Sequence, residues 1–298
     1  MAIADILLDE LRAQPFRLTQ PAVQRVPFVF ASPHSGSVYP HSLVAMSRLS
    51  PLTLRRSEDA YVDELFSVAA ECDAPMIAAR FPRAYLDVNR SPAEIDADMF
   101  DGALAVATDP ASPRVNAGLG VIPRVVRDGA EIYRHKLPPQ EAEDRLAHFY
   151  RPYHAGLALL VKETVARFGA AVVIDCHSMP SAAAIPDIVL GDRYGMSAAP
   201  LLMRHAERCF EQQRFACVRN IPYAGGYTTM LHGQPARGVH ALQIEINRAL
   251  YLNEDRIERG PRFNQIQAKI GACMQSLCAI DMAFLKPSER RETPWAAE

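Results

Sequence analysis

Three polar side chains stand at or near the ends of apolar runs: His34 in "FASPHSG", His177 in "AAVVIDCHS" and Glu245 in "VHALQIEIN". Two imidazoles and one carboxylate, with a fourth position open to water, form the usual shell of a hydrolytic zinc; another divalent ion is the alternative. There is no H-E-x-x-H, and the residue three beyond His34 is Ser37, so the carboxylate must come from elsewhere. Glu58 and Asp59 in "SEDAYVDELF" are the candidates, because the first turn of a helix that follows the His34 strand can face the strand ends. Each residue also has a plainer reading. A histidine at a strand end can be a hydrogen-bonded structural group, and acids at a helix start serve its cap and dipole. Glu245 shares the polar face of its strand with Gln243 and Asn247, where it could be exposed or paired with an arginine.

Other segments offer binding groups. "YLDVNRSP" releases Asp87, Asn89 and Arg90 together; an arginine with an amide can clamp a carboxylate, and an Asp87–Arg90 pair bracing a turn is the alternative. "YAGGYTTMLHG" has paired glycines and hydroxyls but no lysine, so it is no phosphate loop. It reads as a flexible binding loop, with Gly226, Tyr227 and Thr228 facing a ligand, or as a glycine-rich hairpin. Arg124 in "GVIPRVVRDG" is a candidate for stabilising a developing oxyanion. Cys176 lies next to His177, but neighbours in a strand point to opposite faces, which argues against a thiol nucleophile.

The elements that would position these groups alternate between strands and helices. Strands are predicted at "PFVFAS", "APMIAARF", "AAVVIDCHS", "PDIVLGD" and "VHALQIEIN". A helix is predicted from near Glu58 with Ser57 as its N-cap, and a long one runs through "PPQEAEDRLAHFYRPYHAGLALLVKETVARFG", stopped by Gly169 and kinked or broken at Pro152. Helices also close the chain at "SAAPLLMRHAERCFEQQ" and "GPRFNQIQAKIGACMQSLCAIDMAFL". From Asp98 to Arg127, prolines and glycines interrupt every period, as expected of surface loops that carry binding groups. This alternation predicts an α/β sandwich around a mostly parallel sheet. The chain reads as a single domain, 1–298, with a helical extension over 1–26 and a loose tail over 286–298.

With 298 residues, 49% hydrophobic and 22% charged, the chain can bury a large core. A net charge of −2 and scattered arginines argue against nucleic acid as a partner. The N-terminal segment has acids where a secretory signal would be basic, and no apolar run approaches the roughly 20 residues of a membrane span. The expectation is a cytoplasmic protein with no membrane partner. Six dispersed cysteines without a C-x-x-C pair indicate neither a disulfide framework nor a cysteine zinc knuckle.

Six segments, "SPHSG", "SEDAYVDELF", "YLDVNRSP", "YRPYH", "IDCHSMP" and "GGYTTMLHGQPARGVHALQIEINRALYL", resemble in order those of the N-formylglutamate amidohydrolase family, from about Phe28 to Leu252. The resemblance implies a three-layer α/β/α sandwich with a mixed sheet, of the zinc carboxypeptidase and deacylase type. It also implies zinc held by His34, Asp59 and His177, with Glu58 the rival ligand, and Glu245 as the catalytic carboxylate. Asn89 and Arg90 would hold a substrate carboxylate or steady the oxyanion. The implied reaction is hydrolysis of an N-acyl, above all N-formyl, group on an acidic amino acid. One position departs: members that cleave formylglutamate tend to carry an arginine where this chain has Met230. The competing readings are a zinc carboxypeptidase or amidase acting on a peptide or cell-wall fragment, and a non-catalytic carboxylate-binding protein.

Overall fold

A computed structural model describes residues 5–126, 129–182 and 186–287. Among these, seven strands form one sheet in the order β1-β3-β2-β4-β7-β5-β6: β1 (Phe16–Thr19), β2 (Phe28–Ser32), β3 (Met76–Ala79), β4 (Ala171–Met179), β5 (Ile188–Gly191), β6 (Cys217–Arg219) and β7 (Val239–Asn247). The central strands β3, β2, β4 and β7 are parallel, whereas β1 and the β5–β6 pair run antiparallel to their inner neighbours. Helices cover both faces, as the buried apolar runs of β2 and β4 require.

The two-residue period of each strand divides its apolar side chains between two cores. Phe28, Phe30, Val172, Ile174, Leu242 and Ile244 pack with Leu202, Phe210, Ile270 and Met274 from the helices Pro200–Gln212 and Phe263–Cys278. Val29, Ala31, Val173 and Ala241 face the opposite way, toward Tyr153 and Leu157 of the helix Arg151–Phe168. Each large apolar side chain buried here contributes about 1.5–3 kcal/mol. On the second face the apolar pattern stops short of the carboxyl ends of β4 and β7, where Asp175, His177, Gln243 and Glu245 replace it.

Several expectations need correction. The segment 1–26 is more than a helical extension: after the helix Ile6–Ala13 it supplies edge strand β1, too short and too exposed to show a pattern. No helix starts at Glu58. Tyr61 has φ 63°, the left-handed region that interrupts a right-handed helix, so the helix begins at Val62 and ends at Leu65. The Ser57 hydroxyl donates to the Leu54 carbonyl instead of capping. The long helix does not break at Pro152. A wide π turn, Leu146–Tyr150, follows Gln140–Arg145 and passes directly into Arg151–Phe168, accommodating the missing N–H of Pro152. Gly169 ends it at φ 74°. The glycine-rich segment is neither an open loop nor a hairpin beyond Gly226, because Tyr227–His232 is a short helix.

Residues 288–298, most of the expected loose tail, lie outside the described residues. No helix of the described chain is long and apolar enough to cross a membrane.

Candidate metal and catalytic site

The site is assembled at the carboxyl ends of β2, β4 and β7, where open α/β sheets bind ligands. His34 follows β2 by one turn, and the Asp59 N–H donates to its carbonyl at 3.0 Å, tying the turn before Val62 to the strand end. Gly36 permits that turn: a Cβ there would fall 2.0 Å from the Phe81 carbonyl oxygen. His177 lies within β4, in register with Glu245 on β7, and Asp175 is in register with Gln243. Period two puts all four on one face, whereas Cys176 points to the opposite core.

His34 Nδ1 lies 3.3 Å and His177 Nδ1 3.0 Å from Asp59 Oδ2, and all three groups are buried. The opposite nitrogens meet carboxylates as well: His34 Nε2 is 2.7 Å from Asp87 Oδ1, and His177 Nε2 is 3.0 Å from Asp175 Oδ2. A protonated imidazole donates from Nδ1 to Asp59 Oδ2; in the neutral tautomer that donates from Nε2 to its own carboxylate, the Nδ1 lone pair instead converges on that oxygen, which only accepts. A cation between them resolves that contact. The three donor atoms lie within 4.8 Å of one another, in the range of a shell with ligand–ligand edges of about 3.3 Å. The residues therefore fit a metal ion, and the carboxylates behind each imidazole supply the outer contacts typical of metal-binding histidines.

The Asp59 carboxylate is held from its other side by Arg248 Nη2, at 2.9 Å from Oδ1, and by the Ser178 hydroxyl at 3.3 Å. Burial alone would raise its pKa, but the contacts from His177 and His34 hold it well below the usual carboxylate range. Asp87 is likewise depressed: burial opposes ionisation, and the charges of Arg83, His34 and Arg90 outweigh it. Arg83 Nε donates to Asp87 Oδ2 at 2.9 Å, while Arg90 Nε is 3.8 Å away, so Asp87 braces His34 and Arg83 more than Arg90. Glu245 differs from both acids. Burial pushes it up to about 7 against the pull of His177, and Gln243 Nε2 donates to its Oε1 at 2.9 Å. It is a hydrogen-bonded carboxyl beside the donor cluster and outside it, poised to exchange a proton near neutral pH.

A cleft of about 510 Å³ opens over these groups and includes five arginines, Arg56, Arg83, Arg90, Arg114 and Arg248. Its wall takes Arg114, Leu119 and Val126 from the irregular excursion after Asp98. Among the described residues, Arg83 donates only through Nε, which leaves both Nη groups for a ligand. Arg90 is partly tethered, donating to the Leu119 and Asn89 carbonyls.

Other candidates lie elsewhere. Glu58 turns from the cluster and binds Arg55 and the Tyr39 hydroxyl. Arg124 does not line the cleft, since its guanidinium pairs with Asp96 at 3.1 Å on the outside of the excursion. Asn89 lines the cleft, yet its amide is committed to protein: Nδ2 donates to Asp175 Oδ2 at 3.1 Å, and Oδ1 accepts from the Thr228 N–H at 2.8 Å. Thr228 and Tyr227 thus support Asn89 and do not face the cleft; Tyr227 packs edge-on against His154. Gly226 does line it, pressed against Asn89 so that a Cβ would meet Nδ2 at 2.4 Å. Gly226→Ala is expected to displace the Asn89 amide and lower kcat about tenfold, with metal content retained; steady-state kinetics with metal analysis checks it. Met230 is half-exposed on the short helix and outside the cleft. The outer partners Asp175, Arg83 and Arg248 escaped the sequence reading, which noted Gln243 only as sharing the polar face of its strand with Glu245. Period two in β4 could have flagged Asp175, and the four-residue spacing of Arg83 and Asp87 their pair; nothing local marks Arg248.

Residues 26–252 match the family described as N-formylglutamate amidohydrolase. N-formylglutamate deformylases of Pseudomonas aeruginosa and Pseudomonas putida are 30% and 27% identical over 242 and 243 residues, in each case 77% of this chain and 84% and 83% of theirs. The crystal structure of N-formylglutamate amidohydrolase from Ralstonia eutropha JMP134 superposes with a TM-score of 0.84 at 34% identity, covering 89% of this chain and 97% of that one. A gene product of Agrobacterium tumefaciens shares the fold at a TM-score of 0.64 and 18% identity, over 90% and 95% of the two chains. Agreement of fold, family profile and relatives over the segments that build the cleft makes this chain a member of the N-formylglutamate amidohydrolase family, hydrolases of non-peptide amide bonds.

Proposed function

We propose that this enzyme removes the formyl group of an N-formyl amino acid bearing an acidic side chain, N-formylglutamate first among them, as a zinc-dependent amidohydrolase. The observation that carries this reading is the convergence of His34 Nδ1, His177 Nδ1 and Asp59 Oδ2 beside an uncoordinated, buried Glu245. A zinc ion held by those three residues would supply Lewis acidity to the formyl oxygen and acidify a water. Glu245 accepts the water proton and returns it to the amide nitrogen as the C–N bond breaks. Gln243 keeps the Glu245 carboxyl in place through both transfers.

Arg83 takes the part that the sequence suggested for Arg124. Its free Nη groups stand over the cleft, and Asp87 holds the guanidinium through Nε, so it can donate to a developing oxyanion for a few kcal/mol, about 3–4 by analogy with other oxyanion donors. Arg90 and Arg114 remain for the carboxylates of the substrate, which the cationic wall favours even with Met230 where an arginine was expected.

The test is a hydrolysis panel on the purified, metal-analysed protein: formyl, acetyl and succinyl derivatives of glutamate and aspartate, formylated apolar amino acids, and short peptides. Preference for formylated acidic amino acids is expected; peptide cleavage without deformylation would overturn the reading in favour of a carboxypeptidase. Dialysis against a chelator is expected to abolish turnover, and one equivalent of Zn²⁺ per chain to restore it. Undiminished activity in metal-free protein would refute the metal dependence.

A further inference from the structure

Behind the metal-binding face lies a second polar group that the reaction does not use. Asp175 commits one oxygen, Oδ2, to His177 and Asn89, while its Oδ1 is buried with no protein partner. Four further buried polar atoms among the described residues share that condition nearby: the Tyr153 hydroxyl, His154 Nδ1, Thr228 Oγ1 and His232 Nε2. Their contacts make them neighbours. Thr228 N–H binds Asn89 Oδ1, and the same amide binds Asp175; His232 follows Thr228 by one helical turn on the same side. His154 is tied to the Val88 carbonyl at 2.9 Å, one residue from Asn89, and its ring packs 5.8 Å from that of Tyr153. Asp175 also acts electrostatically on Tyr153, His154 and His232.

Buried polar groups are rarely left unpaired in native proteins, and those that lack protein partners are commonly bridged by internal water. The chemistry of this set is complementary to water. His154 donates from Nε2 to Val88, so its Nδ1 accepts, as does Asp175 Oδ1; the hydroxyls of Tyr153 and Thr228 can donate. One molecule that gives two hydrogen bonds and receives two would satisfy four of the five atoms.

We infer that a water molecule, or a short chain of them, is bound among the unpartnered atoms of Asp175, Tyr153, His154, Thr228 and His232, and that it locks Asp175 in the rotamer that orients His177. Tyr153, bonded to that water, and His232, reached through a second one, are then positioning residues, acting through water and Asp175 on an imidazole that they do not touch. The water site stands on the unpartnered atoms alone. The orienting role rests on the proposed metal-binding role of His177.

Two measurements test this. A crystal structure of the enzyme, at a resolution that shows ordered internal solvent, should contain density within hydrogen-bond distance of Asp175 Oδ1 and of at least two of the other four atoms. Ordered solvent elsewhere in the core with none at Asp175 would overturn the site, whether or not a metal is present. The orienting role is read from Tyr153→Phe and His232→Leu, each expected to weaken Zn²⁺ affinity roughly 10-fold in a chelator competition and to lower kcat with KM within about twofold. His232→Gln, which keeps a polar atom there, should recover most of both. Reduced melting temperature with unchanged Zn²⁺ affinity and kcat would mark the cluster as merely structural. Thr228→Val, nearly isosteric, replaces any variant that does not fold and is read the same way. Should the native protein take up no divalent ion, the metal reading fails, and the solvent density still decides the water site.

Discussion

Glu245→Gln is expected to bind zinc stoichiometrically and to lose about 10²–10⁴-fold in kcat, with a much smaller change in KM. The amide is nearly isosteric and keeps a hydrogen-bonding partner for Gln243, so the fold and the donor cluster should survive. What it cannot do is take a proton from water. The environment of Glu245 makes the effect large: burial raises the carboxyl to about 7, and it lies outside the ligand set while its strand neighbour His177 lies within. As a base it works deprotonated, so turnover should fall as pH drops through its pKa. That acid limb lies at or below about 7, because a nearby metal cation favours the carboxylate. Activity of the variant near that of the native enzyme would remove Glu245 from the mechanism and favour direct attack by water without a protein base.

Removing a proposed metal ligand should cost still more. His34→Ala and His177→Ala are each expected to purify with substoichiometric metal and without measurable deformylation, even in millimolar Zn²⁺. Each deletes one of three protein donors and leaves a carboxylate, Asp87 or Asp175, buried without the imidazole it bound. Asp87→Asn is the informative control for metal content: it keeps every proposed ligand and alters the group behind His34, which also holds Arg83, so zinc affinity should fall roughly 10–100-fold and not vanish. Metal analysis of the three purified variants decides the matter. Stoichiometric, tightly held zinc in either histidine variant would contradict the ligand set, whereas loss confined to those two and attenuation in Asp87→Asn is the pattern that the geometry demands.

Which parts of this could be read without a structure follows from the range over which each signal acts. β2, β4 and β7 and the helices that cover them were legible because burial imposes a period within a single element. The short edge strands β1 and β6 were not: four and three residues, mostly exposed, carry no period. The turn holding Asp59 was misread as a helix because its acids and apolar spacing suit one, while Tyr61, in the left-handed region, stops it.

The candidate site divides along the same line. Residue types and motif order in the chain were enough to single out His34, His177, Asp59 and Glu245 and to imply an amidohydrolase. Only the tertiary structure set Asp59 beside the two imidazoles and turned Glu58 toward Arg55 and Tyr39, placed Arg83 in the cleft wall and Arg124 outside it, and put Asp175 behind His177. Those choices depend on the register of β4 against β7, on a single left-handed residue, and on Arg248, brought from 189 residues away to meet the Asp59 carboxylate. An ion pair or a ligand contact of that span has no local periodicity, because the energy that selects it is paid across the fold and not along the chain.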